Sequence, residues 1–274
     1  MASFALGPIA TSRGYRVFGF DETGSTSSDA SRAAEAGDVG EVWFAALKQT
    51  AGRGRRGRSW ETPSGNLAAS LLLVPDCDPS LAATLGFVAG VALNRALVTA
   101  LPAGTVKQGI DGADGPGHRV ALKWPNDVLA DGKKICGILL EAEGVPGGLA
   151  VVAGMGTNVV AAPTDTPTPA ISLAALGIQV SAEDLFSALS DAWVEFFGIW
   201  DSGRGFEEIR KLWLARAAGL GRAVAVTSGG STIEGIFDTI DGQGCMIIQT
   251  PAGRRMPVSA GDVYFGTAAS RGTS

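Results

Sequence analysis

The sequence is poor in the residues that build metal and redox centres. Among 274 residues there is one histidine, His118, and three cysteines, Cys77, Cys136 and Cys245. The cysteines lie far apart and form no CxxC pair, so a Cys/His zinc site of ordinary spacing is excluded and reduced thiols of a cytoplasmic protein are expected. An excess of positive charge is missing too. Lys and Arg number 22 against 27 Asp and Glu, a formal net charge of −5, which argues against a nucleic-acid coat. No apolar run approaches the roughly 18 to 20 residues of a membrane span, and the first eight residues carry no basic segment ahead of a secretory core. The 39 glycines and 13 prolines show no fixed period, so collagen-like and solenoid architectures fail. What is present is core-forming substance: 46% of residues are hydrophobic and only 18% charged, the opposite of a disordered composition. Chain length then suggests one large domain followed by a small one.

Periodicity predicts a helix over 26–37, strands over 42–48 and 66–74, a break at 76–79 and an Ala/Leu-rich helix over 81–101. The glycine-rich stretch 107–119 reads as an exposed loop, with His118 a loop residue given no catalytic role. A short strand follows at 120–124. Segments 134–143 and 149–160 read as a central hairpin, and residues 181–200 place Leu185, Leu189, Trp193, Phe196, Phe197 and Trp200 at helical spacing, as core packing requires. From about residue 220 the texture changes. Runs at 223–227, 232–239, 245–250, 255–258 and 262–265, separated by turn signals, predict five short strands in a small β-barrel.

The chemistry concentrates in two segments. Residues 49–67, QTAGRGRRGRSWETPSGNL, put Arg53, Arg55, Arg56 and Arg58, a quarter of the sixteen arginines, among the glycines 52, 54 and 57. Glycines let a backbone approach a ligand closely, and guanidinium groups offer bidentate donors to phosphate or carboxylate oxygens. A polyanionic small molecule suits this loop; a solvated basic loop or an RNA-binding segment are the alternatives. Crowded arginines and glycines also predict mobility until a ligand orders them. The second segment is KWPND, Lys123 to Asp127, followed by Lys133 and Lys134, so that three of six lysines cluster there. Pro125 makes the turn rigid. Asp127 is a candidate Mg²⁺ ligand beside nucleotide phosphates or an ordinary turn residue, and Lys134 opens a strand with its ammonium free to face a cleft.

Gly24, Ser25 and Thr26, then QTAGRGRRGRSW with PSGNL, then KWPNDVL, KICGILLE and GMGTNV, in this order and at these separations, resemble the biotin protein ligases over roughly residues 18–265. The resemblance implies an α+β fold, a mixed β-sheet flanked by helices as in class II synthetase-like biotin and lipoate ligases, over residues 1–218, with an SH3-like β-barrel at 219–274. It implies joining biotin to ATP as biotinyl-5′-AMP, with Mg²⁺, and transfer to one lysine of a biotin carboxyl carrier protein. By motif position, Lys134 resembles the catalytic lysine and Arg55 and Arg58 the arginines that hold the adenylate. Ser25, Thr26, Gln49 and Arg53 match biotin-binding positions, as do Gly137, Leu139, Gly154 and Gly156. Arg56, Trp60, Lys123, Asn126 and Asn158 fall with the ATP or adenylate positions. Many members place an adenine-stacking tryptophan where this chain has Ala170, which makes Trp60 the alternative, with core packing as its plain reading. Ser25 also reads as the N-cap of the following helix. Asp127 is expected to orient or deprotonate the acceptor amine, so that Asp127→Asn would spare adenylate formation and slow transfer, or else to bind metal.

The family's Ser-Thr-Asn continues here as Ser25-Thr26-Ser27. With the first motif only about two dozen residues from Met1, no helix-turn-helix and no DNA binding are expected, and a homodimer is left open. The rival readings are a lipoate or octanoate acyltransferase of related fold and a noncatalytic small-ligand or RNA-binding module.

Overall fold

The computed structural model describes residues 3–108, 117–146, 148–164, 166 and 168–266. The chain opens with α1 (Pro8–Ser12), β1 (Arg16–Phe20), α2 (Thr26–Glu35), β2 (Val42–Ala46) and β3 (Leu67–Leu73). It continues through α3 (Pro79–Ala82), α4 (Leu85–Ala100), β4 (Val106–Gln108), β5 (His118–Lys123), β6 (Asp127–Ala130), β7 (Lys133–Val145) and β8 (Gly148–Thr157). Two helices, α5 (Ala182–Trp200) and α6 (Phe206–Leu214), precede β9 (Ala223–Ser228), β10 (Ser231–Ile240), β11 (Met246–Gln249), β12 (Arg255–Val258) and β13 (Asp262–Phe265). The first eight strands form one sheet in the order β1-β2-β3-β8-β7-β6-β5-β4. It is parallel at β1/β2 and β4/β5 and antiparallel elsewhere, hence mixed. The last five strands form a separate antiparallel sheet, β12-β11-β10-β9-β13.

Strand β3 shows how sequence divides the molecule. All seven residues of LAASLLL are buried, but successive side chains leave a strand on opposite faces. Leu67, Ala69, Leu71 and Leu73 enter the large core shared with α4 and α5. Leu72 joins a smaller core under α2 with Ala30, Ala34, Phe44, Ala150 and Val152. Beside this smaller core the same face carries only Ala68 and Ser70, which open onto a cavity. In the large core Trp43 meets Phe186 and Trp193 edge-on, at centroid distances of 5.5 and 6.1 Å. Leu71 is fully buried there, and Leu71→Ala would cost about 2–5 kcal/mol.

Two expectations need correction. The ends of the stretch 107–119 are strands: β4 pairs in parallel with β5 through Lys107 and Arg119, while residues 109–116 lie outside those described. Ladder pairing there overrides the local glycine signal. His118 is accordingly held on β5, its Nδ1 2.7 Å from Asp131 Oδ2 and its Nε2 3.0 Å from the Leu176 carbonyl oxygen. The second correction concerns length: Pro79–Ala100 spans 22 residues and holds an 18-residue window of mean hydropathy 1.7, long and apolar enough to cross a membrane. That window is 72% buried inside the protein, because a helix apolar all round can be the centre of a core. Cysteines 77, 136 and 245 are unpaired, and burial pushes the Cys136 thiol up to about 12.

Candidate active site

The site begins with missing side chains. Strands β3, β8 and β7 present Ser70, Gly154, Gly156 and Gly137 toward the same cavity, of about 450 Å³. Register explains the grouping: Ser70 lies opposite Gly154, and Gly156 opposite Gly137. Arginine-rich residues 52–60 form a hairpin roof, in which the Trp60 N–H donates to the Gly52 carbonyl at 2.9 Å and Gly54 N–H to the Arg58 carbonyl at 2.7 Å. The Trp60 indole stands on the glycines. A Cβ at Gly156 would come within 2.3 Å of its Nε1, and one at Gly137 within 2.9 Å of its Cζ3. Trp60 is therefore a wall of the cavity rather than a core residue.

One end of the cavity is polar and uncharged. Ser25 caps α2, accepting from the Ser28 N–H at 3.4 Å, which aims Thr26 and Ser27 at β3. Gln49 Oε1 accepts from both the Thr26 N–H (2.9 Å) and the Thr26 hydroxyl (3.1 Å). Gln49 Nε2 donates to Thr62 Oγ1 at 3.0 Å. Ser70 Oγ sits 2.8 Å from Thr26 Oγ1 and 3.0 Å from Ser27 Oγ. All three hydroxyl residues are buried.

The other end is cationic. Lys134 Nζ lies 2.6 Å from Asp127 Oδ1 and 5.2 Å from the Trp60 ring centroid. Asn126 donates through Nδ2 to the Ile138 carbonyl at 2.7 Å, which turns its Oδ1 toward the Arg55 guanidinium at 2.9 Å. Lys123 is 8% exposed and donates to Thr168 Oγ1 at 3.2 Å. Burial, reinforced by the neighbouring Lys134 charge, holds the Lys123 ammonium below the ordinary lysine range, although Asp127 and Asp262 oppose the shift. Arg55 is likewise lowered, first by burial and then by Arg56. Arg56 and Arg58 reach the C-terminal sheet, both meeting Asp262 Oδ2, at 2.7 and 2.9 Å, and Arg53 meets Glu141 at 2.7 Å. The repulsion expected among four arginines is thus offset by acids from distant segments. Asn158 donates to the Ile171 carbonyl at 3.2 Å, while its Oδ1 is buried without a hydrogen-bond partner.

Of the residues singled out in the sequence, Thr26, Gln49, Arg53, Arg55, Arg58, Trp60, Lys123, Asn126, Asp127, Lys134, Gly137, Leu139, Gly154, Gly156 and Asn158 all line the cavity. Ser25 and Arg56 do not: Ser25 is spent on the helix cap, and Arg56 is paired with Asp262. Ala170 lies beside Lys134. Sequence reasoning missed Ser27, Ser70 and Asp262. Ser70 carried one signal, as the lone polar residue of an apolar strand; Asp262 carried none, since it arrives through tertiary packing. The donor set does not fit a resident magnesium ion: of the three carboxylates lining the cavity, Asp127 is engaged by Lys134, Asp262 by Arg56 and Arg58, and Glu61 is exposed, and among the described residues no group of three or more His, Cys, Asp or Glu comes together.

A helix-backed mixed sheet carrying a trench with a neutral end and a cationic end defines a class of protein suited to a small acid that meets a phosphate-bearing group. Comparison with known proteins makes the class particular. Residues 31–158 match the Biotin/lipoate A/B protein ligase family and residues 219–266 the Biotin protein ligase C terminal domain. A biotin–[acetyl-CoA-carboxylase] ligase of Paracoccus denitrificans is 41% identical over 251 residues, 89% of this chain and 98% of the relative. One from Mycobacterium tuberculosis is 33% identical, covering 88% and 86%. Among solved structures, the Aquifex aeolicus biotin protein ligase in complex with biotin and ATP superposes with a TM-score of 0.73 at 22% identity, covering 92% of this chain and 99% of that one. The Leishmania major enzyme in complex with biotinyl-5-AMP gives 0.57 at 25%, covering 89% and 98%. The chain belongs to the biotin protein ligase family.

Proposed function

We propose that this protein activates biotin with ATP to biotinyl-5′-AMP and transfers the biotinyl group to a lysine of a biotin carboxyl carrier protein. One observation carries the reading: a single cavity with hydroxyls and an amide at one end, cations at the other, and Lys134 where they join. Biotin has a neutral cyclic urea head and an anionic tail end, so it fits this division lengthwise. Relatives named as biotin ligases support the assignment.

In the first half-reaction a biotin carboxylate oxygen attacks the α-phosphorus, a C–O–P linkage forms, and the bond to the β-phosphate breaks to release pyrophosphate. Two anions must approach each other, so cations aimed at the reacting oxygens lower the barrier. Lys134 is assigned to the carboxylate and α-phosphate, with Arg55, Arg58 and Lys123 along the phosphates. Asn158 Oδ1, an open buried acceptor, suits the adenine amino group, and Trp60, seated on the glycine floor, suits the flank of the biotin tail rather than adenine. In the second half-reaction the acceptor amine attacks the acyl carbonyl, loses a proton, and AMP leaves. The ion pair between Asp127 and Lys134 shifts the expectation for Asp127. Removing its charge unhooks Lys134, so both half-reactions should slow, and magnesium brought by ATP is left to the phosphates. Residues 1–218 are proposed as the catalytic unit, residues 219–274 as its C-terminal domain, and the cytoplasm as the place of action.

The test is ATP–pyrophosphate exchange followed by labelling of a carrier domain. Biotin should stimulate exchange where lipoate and octanoate do not. Exchange stimulated equally by lipoate, or biotin binding without exchange or labelling, would overturn the assignment.

A further inference from the structure

The uncharged end of the cavity has a direction that follows from donor and acceptor accounting. Gln49 Oε1 faces the Thr26 N–H, which can only donate, so the atom there is the amide oxygen and can only accept. The Thr26 hydroxyl lies 3.1 Å from the same oxygen; unless it donates, two sets of lone pairs confront each other in a buried site. Its one proton is therefore committed to Gln49. Toward Ser70, 2.8 Å away, Thr26 Oγ1 can then only accept, so Ser70 donates. Ser70 in turn can only accept from Ser27, 3.0 Å away, and Ser27 donates. Protons run one way, from Ser27 through Ser70 and Thr26 to Gln49, and Ser27 Oγ is left with lone pairs alone facing the cavity. Ser70 is 1% exposed and Ser27 7%, so water does little to scramble the order. Gly154 leaves the room for it, since a Cβ there would stand 2.8 Å from Ser27 Oγ.

We infer that Ser70 is a positioning residue that fixes this relay, making Ser27 an obligate acceptor that selects a ligand head presenting an N–H, as a cyclic urea does, over one presenting an acceptor. The inference rests on the reading that the uncharged end holds the ureido ring. Ser27 offers a single hydroxyl, which could donate or accept; its polarity has to come from Ser70 on another strand. A site built to pair with a substrate N–H rejects an isostere lacking it, because the buried acceptor is left unpaired.

The experiment compares KM for biotin with KM for its two cyclic carbamate analogues, in which a ring oxygen replaces one or the other N–H, by pyrophosphate exchange in the wild-type enzyme and in Ser70→Ala, Ser70→Thr and Ser27→Ala. Wild-type enzyme should reject one carbamate by at least about tenfold, the worth of a modest hydrogen bond at 1.4 kcal/mol per tenfold. In Ser70→Ala the Ser27 proton loses its acceptor and turns to the ligand, so biotin KM rises and the biotin-to-carbamate ratio collapses toward one, with KM for ATP unchanged. Ser70→Thr keeps the hydroxyl and should keep the ratio. Ser27→Ala should also collapse it, which preserves the test if Ser70→Ala does not fold. Looser packing alone would weaken both ligands alike and leave the ratio where it was. Biotin-stimulated exchange with an unaltered ratio in Ser70→Ala, or in Ser27→Ala where Ser70→Ala does not fold, sinks the relay and spares the ligase assignment; no biotin-stimulated exchange in the wild type sinks both.

Discussion

The two ends of the cavity are held in place differently. At the uncharged end each group is tied by short hydrogen bonds to β3, to the cap of α2 or to Gln49, and the hydroxyls are nearly solvent-free. At the cationic end Lys123 and Lys134 stand on the sheet, but Arg53, Arg56 and Arg58 belong to the hairpin and are held by partly exposed ion pairs with Glu141 and Asp262. Exposed pairs of this kind are worth about 0–1 kcal/mol each and can be exchanged for stronger partners such as phosphate. Under the proposed function, recognition of the neutral head is thus preorganised, whereas the anionic end would be met by a clamp whose resting partners are acids of the protein itself.

That contrast can be broken most severely at the joint. Lys134→Ala should lower biotin-stimulated exchange by about 10²–10³-fold, while biotin affinity, measured calorimetrically, falls far less; equal losses in both would remove Lys134 from the transition state. Gly156→Val comes next. Its side chain would occupy space 2.3 Å from the Trp60 indole, so the tryptophan must leave the floor, and biotin KM should rise at least about tenfold with ATP KM altered less. Asp262→Ala should change thermal stability little, by under about 1 kcal/mol, yet speed proteolytic cleavage within residues 52–60 in the ligand-free protein. Unaltered cleavage would show that the hairpin is held by its backbone alone.

The smallest effect is a pH dependence. Lys123 is held below the ordinary lysine range by burial and by Lys134, so the folded protein disfavours its charged form and loses its proton before the unfolded chain does. Stability contributed by this group therefore rises as pH climbs from the folded value to the unfolded one. Nucleotide binding works the other way: phosphate favours the charged form, so affinity should fall as pH rises through the depressed value, with proton uptake on binding. Calorimetry in buffers of different ionisation enthalpy measures that uptake.

Much of this was legible in the chain. The apolar runs and the alternating C-terminal segments marked most of the strands, and the helix over α5 followed from a stripe whose residues Leu185, Leu189, Trp193 and Phe196 are buried. Site residues were readable where they form local strings, as in the arginine hairpin and KWPND. What escaped was set by tertiary register. Ser70 acquires a role only because pleating turns it away from the large core, which its neighbours Ala69 and Leu71 enter, and sets it beside Gly154. Asp262 acquires one only because β13 is brought to a hairpin more than 200 residues earlier. Elements such as β1 and β6, of five and four residues, are too short for a periodicity signal of their own.

The most direct test of the account is a crystal structure of the protein with a nonhydrolysable biotinyl-5′-AMP analogue. The account predicts the bicyclic head against Thr26, Ser27 and Gln49, the tail alongside the Trp60 indole that stands on Gly137 and Gly156, and the acyl-phosphate linkage within hydrogen-bonding distance of Lys134 Nζ. A ligand bound in the reverse direction, or with its linkage remote from Lys134, would contradict it.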